Sequence, residues 1–138
     1  MFSTVMVPVD LAHSDRLAKA LDCAAMMARA EGATLVYVGV SAAAPSSVAH
    51  TPEEYAEKLA AFAAEQGRAH GVETTSHAVT SHDPATDLDP ALLQAVEDTG
   101  ADLVVMASHI PNVADHIWPS NGGTIATRAK TSVLVVRD

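Results

Sequence analysis

The chain has 138 residues, 49% of them apolar, 18% charged and 4% aromatic, and a net charge of −9. That is one domain's worth of chain, with a core of Ala, Val, Leu and Met and few rings on which bases or sugars could stack. An acidic surface repels phosphate backbones, which excludes nucleic-acid binding by general electrostatics. Cys23 is the single cysteine, so no disulfide can form within the chain, as suits a reducing compartment. Its place on the apolar side of a predicted helix makes it a buried, inert thiol. No stretch approaches the ~18 apolar residues that cross a membrane. Residues 1–7 carry no basic, apolar leader. The expectation is a cytoplasmic protein with no membrane insertion.

The continuous apolar run Val5–Val9, ending at Asp10, predicts a strand covered on both faces. Ser14 and Asp15 can cap a helix to about Ala30, whose apolar positions Leu17, Ala20, Leu21, Ala24, Ala25 and Ala28 recur at helical spacing before Gly32. Ala33–Val40 is a second buried strand, and Ser41–His50 a loop rich in Ala, Ser and Pro. Thr51, Pro52 and Glu54 then form the clearest start signal: a cap, a first-turn proline and a reciprocal capping-box partner. That helix carries Tyr55, Leu59 and Phe62 inward, reaches about His70 and closes at Gly71. Val72–Val79 is a strand polar on both faces, which suits a sheet edge. Asp89-Pro90 starts a short helix through Leu92, Leu93 and Val96, stopped by Gly100. Strand Ala101–Met106, an irregular stretch from Ala107 to Pro119, a helix at about Ser120–Lys130 and strand Ser132–Val136 complete the chain. Strands alternating with helices predict a single α/β domain: a doubly wound parallel sheet with helices on both faces.

In such a sheet, ligands bind beyond the carboxyl ends of the strands where strand order reverses. Asp10 stands at one such end, able to accept from a ribose hydroxyl or adenine amine, or simply to cap the following segment. Ser120, Asn121, Gly122 and Gly123 open the last helix, where free N–H groups suit an anion and a plain turn fits equally well. Neither a Walker-type Gly-Lys-Ser/Thr nor Gly-x-Gly-x-x-Gly is present. The seven histidines form no His-x-x-x-His with an intervening Glu, which gives dedicated zinc ligation no support. Ser108, His109 and Asp115 lack the Gly-x-Ser-x-Gly setting of a hydrolytic triad. Trp118, the only tryptophan, reads as a local core plug.

From Val5-Met6-Val7-Pro8-Val9-Asp10 through Ala101–His109, Pro111-Asn112 and Pro119-Ser120-Asn121 to the final strand, the sequence resembles the universal stress protein family. The Ser108-His109-x-Pro111-Asn112 block followed by Ser120-Asn121 is similar to its small F/G-type branch. The resemblance implies a five-stranded sheet in the order 3-2-1-4-5 and a homodimer through Ser132, Val133, Leu134, Val135 and Val136. It also implies a site for ATP, with magnesium, or for AMP. Carried over by position, the site residues are Pro8, Val9 and Asp10, then Gly39 and Val40 beside the adenine, then Met106, Ala107 and His109, with Ser120 and Asn121 at the phosphates.

One departure bears on this. ATP-binding members carry Gly-x-x-Gly and then Gly-Ser/Thr, whereas Ala107, Ile110 and Pro119 stand near those glycines here. A β-branched residue resists positive φ and proline removes a donor N–H. Three functions follow: a nucleotide-sensing regulatory dimer that is not an enzyme, a nucleotide-free dimer whose output is binding an unidentified protein partner, and a slow ATPase or autophosphorylating protein using Ser108 or Ser120.

Overall fold

A strand whose residues are all apolar has no face to offer water, and Val5, Met6 and Val7 of β1 (Thr4–Pro8) are at most 1% exposed. With β2 (Thr34–Ala42), β3 (Thr74–Ser81), β4 (Leu103–Ala107) and β5 (Ser132–Val136), β1 forms one all-parallel sheet in the order β3-β2-β1-β4-β5. The computed structural model of the protein describes residues 1–108 and 121–137. Both the strand order and the edge position of β3, whose residues are nowhere fully buried, are as expected from the sequence.

Right-handed crossovers put α1 (Ala18–Glu31) and α2 (Pro52–His70) on one face, α3 (Pro84–Thr99) and α4 (Asn121–Arg128) on the other. Arg29 of α1 donates to the carbonyl of His70 at the end of α2. Ala20, Leu21, Ala24, Ala25 and Ala28 form the buried stripe of α1, and Gly32 ends it at φ 63°, its N–H donating to the Ala28 carbonyl. In α2, Thr51 Oγ1 accepts the Glu54 N–H at 3.1 Å, while the Glu54 carboxylate turns to the N–H of His50 rather than of Thr51. Gly67 lets this helix settle on β3: a β-carbon there would meet Thr74 Oγ1 at 2.7 Å, and that hydroxyl donates to the Ala63 carbonyl.

Several local expectations are corrected. Asp10, not Ser14 or Asp15, caps the segment after β1, a 3-10 stretch Leu11–Leu17 that precedes α1. α3 begins at Pro84, so Pro90 lies inside it; its ring is exposed, and water can serve the carbonyl that lost a donor. β2 continues to Ala42, absorbing the first residues assigned to the loop, and β3 starts at Thr74 rather than Val72. Cys23 is half-buried, not buried, because the stripe of α1 turns past it through Ala24 and Ala28.

Two polar features tie the core. The Asp102 carboxylate accepts the N–H groups of Ser3 and Thr4 at 2.9–3.1 Å, joining the starts of β1 and β4, and these bonds hold its carboxyl below the usual range. Tyr37, fully buried in β2, meets Phe62 edge-to-face with centroids 5.3 Å apart. Its hydroxyl has no partner among the described residues, and burial pushes its pKa up to about 12. Among the described residues no helix is long and apolar enough to cross a membrane.

Candidate functional site

Strand order reverses at β1, which has β2 on one side and β4 on the other. A cavity of about 300 Å³ opens beside that point, at the carboxyl ends of β1 and β2. Its walls are Val9 and Asp10 after β1, Val40 to Ala42 of β2, the loop Ser46 to Val48, Tyr55 of α2, and Pro84 and Leu88 of α3. A wider cleft of about 450 Å³, lined by Glu97, Arg128 and Lys130 among others, lies at the opposite end of the sheet. That end is the amino end of the strands, where the chain turns between helix and strand. The cavity at the carboxyl ends is therefore the better candidate despite its smaller size.

Asp10, His13 and Tyr55 are the ionisable side chains in the lining of this cavity. The extended backbone of Asp10 (φ −106°, ψ 106°) ends the apolar strand and turns its side chain into the following segment. One carboxylate oxygen accepts the N–H of Ala12 at 3.0 Å, and the other lies 2.8 Å from His13 Nδ1. Helical geometry is interrupted at His13 (φ −131°, ψ 30°), which brings its ring back onto Asp10. Tyr55 is 5% exposed and packs on Gly39, a residue whose missing β-carbon makes room for the ring. Burial, and secondarily the Asp10 carboxylate, push the Tyr55 phenol well above its ordinary pKa. Ser46 Oγ is occupied within its own turn, accepting from the N–H groups of Val48 and Ala49.

Among the residues singled out from the sequence, Val9, Asp10 and Val40 line this cavity. Pro8 is buried at the end of β1, and Gly39 lies beneath Tyr55. Met106 and Ala107 end β4, the strand next to β1, but do not line the cavity. Asn121 opens α4. His109 and Ser120 lie outside the described residues, as do Ile110, Asp115, Trp118 and Pro119. Sequence reasoning missed His13 and Leu88 and took Tyr55 for core only. The spacing of His13, three residues after a strand-end aspartate, was the available signal. Among the described residues no three His, Cys, Asp or Glu side chains gather as metal ligands would.

A family model described as the universal stress protein family matches residues 1–137. Universal stress protein G of Escherichia coli O157:H7 is 26% identical over 152 residues, spanning 99% of this chain and 100% of that protein. A universal stress protein solved in complex with cAMP aligns with a TM-score of 0.70 at 23% identity, over 98% of this chain and 97% of that one. Another, from Archaeoglobus fulgidus in complex with dAMP, gives 0.65 at 20% identity over 96% of each. Those two structures share the fold. Taken with the family pattern that runs through residue 137 and the β3-β2-β1-β4-β5 sheet, they leave one conclusion: the chain belongs to the universal stress protein family.

Proposed function

We propose that this protein is a regulatory module that binds an adenine nucleotide in the cavity at the carboxyl ends of β1 and β2, and acts as a homodimer rather than as an enzyme. The observation that carries this reading is the cavity itself, lined by Val9, Val40, Val48 and Leu88 together with Asp10, His13 and Tyr55. A purine suits the apolar walls, and a sugar with hydroxyl donors suits the carboxylate. Related universal stress proteins solved with cAMP and dAMP support the ligand class. ATP or AMP would use Pro8, Val9, Asp10, Gly39 and Val40 on the base and sugar side, and Met106, Ala107, His109, Ser120 and Asn121 toward the phosphates, with magnesium accompanying ATP alone.

Dimerisation through β5 is supported by its composition. Val133, Leu134, Val135 and Val136 form an aliphatic edge strand with no fully buried residue, and Leu134 is 36% exposed. An unpaired edge of this kind recruits another strand.

A second reading, a nucleotide-free dimer serving protein contacts, is favoured by one observation: both oxygens of Asp10 already have partners within the chain. Ala107, Ile110 and Pro119 in place of glycines add to it. Thermal unfolding with and without AMP or magnesium-ATP separates the two. At a hundredfold excess over Kd, linkage contributes about 2.7 kcal/mol, a rise of several degrees in Tm. Asp10→Ala is expected to abolish the rise. No rise at millimolar nucleotide, and no nucleotide extracted from fresh protein by mass spectrometry, would leave the second reading standing.

A further inference from the structure

His13 and Asp10 face the same cavity and are bonded to each other, Nδ1 to Oδ2 at 2.8 Å. A carboxylate only accepts, so in the neutral ring the shared proton sits on Nδ1 and Nε2 is left as an acceptor. Among the described residues each Asp10 oxygen has one partner and keeps lone-pair capacity beyond it. The pair therefore presents acceptors of two kinds to a cavity whose other lining residues are aliphatic side chains, three serines and Tyr55. Side-chain exposure remains at both, 26% for His13 and 10% for Asp10. The complement of adjacent acceptors is a pair of adjacent donors, and in an adenine nucleotide that pair is the 2′ and 3′ hydroxyls of the ribose.

We propose that His13 is a specificity-determining residue of this site, reading one ribose hydroxyl while Asp10 reads its neighbour; the proposal rests on the nucleotide reading above. The ring does two things here. Its Nδ1 bonds the carboxylate across the break in helical geometry at residue 13, and its Nε2 takes the second hydroxyl.

The test is calorimetric titration of AMP, 2′-deoxy-AMP and 3′-deoxy-AMP into the full chain and into His13→Ala and His13→Asn. The wild type is expected to bind AMP about tenfold or more tightly than either deoxy form, since each loses a bond to this pair. His13→Ala should bring AMP down to the level of the deoxy form that lacks the hydroxyl His13 reads, while moving that form by less than about threefold. His13→Asn keeps a donor for Asp10 but lacks the distal acceptor, so it should lose discrimination as alanine does. It also keeps the comparison open should the alanine variant fold poorly. Full discrimination in His13→Asn would reduce His13 to a positioning residue and overturn the proposal. So would no preference for AMP in the wild type, or equal losses for all three nucleotides in both variants. Binding of none of the three by the wild type would remove the nucleotide reading itself, and this proposal with it.

Discussion

The ring of Tyr55 fills the space that a side chain at residue 39 would need: a β-carbon on Gly39 would stand 2.2 Å from the Tyr55 hydroxyl and 3.0 Å from two ring carbons. Tyr55 is buried, so it has little freedom to retreat. Gly39→Ala should cost about 1–3 kcal/mol through overpacking, read as a lower midpoint of urea unfolding. Tyr55→Phe in the same chain should recover part of that loss, because the nearest atom is removed while the ring carbons stay. An unchanged midpoint in the single variant would show that Tyr55 is not seated on Gly39.

Asp102 makes stability depend on acid. Its carboxyl is held low chiefly by the N–H groups of Ser3 and Thr4, so the folded chain binds its proton less readily than the unfolded chain. The contribution is complete above the unfolded value, about 3.9, and fades as pH falls through the lower folded value. The carboxylate is partly open to solvent, and discounting for screening leaves about 0.5–1 kcal/mol at neutral pH. Stability curves for the wild type and Asp102→Asn should be separated at pH 7 and converge below about pH 4. A constant separation would assign the effect to something other than this carboxylate.

Tyr37 is fully buried, and no described residue bonds its hydroxyl. Removing an unpaired buried polar group without changing shape is neutral or favourable. Tyr37→Phe should therefore keep or raise stability, by up to about 1 kcal/mol. A loss larger than that would mean the hydroxyl is bonded to a buried water.

The β5 edge sets the prediction for assembly. Leu134→Lys places a charge in the middle of an aliphatic edge strand, and sedimentation should show a dimer for the wild type and monomers for the variant. A variant that stays dimeric would move the interface elsewhere.

What could be read from the sequence was what burial on both sides writes into it. Val5–Val9 and Leu103–Met106 lack any polar face, so their strand character is plain, as is the edge position of polar β3, whereas the strand order comes from the family resemblance. Helix starts were harder. Asp89-Pro90 carries a first-turn signal next to the apolar run through Leu92, yet the helix starts at Pro84, because an exposed proline is tolerated within α3. The site was half readable: Asp10 stood out as a carboxylate after an apolar strand. His13 did not, because its closeness to Asp10 depends on a break in helical geometry at that residue. Tyr55 was invisible as a cavity residue, because helical spacing marks a side chain as inward without saying which end of the sheet it overlies.

The two borders of the sheet are unlike, and this bounds how many copies can join. β3 is lined with Thr, Ser and His, and its first residue is pinned to α2 through the Ala63 carbonyl, whereas β5 is aliphatic. A sheet with one adhesive border can pair with its copy and is then sealed; two such borders would let copies add without end into a ribbon. The polar outer strand thus works as a terminus, keeping any strand-to-strand union a closed pair.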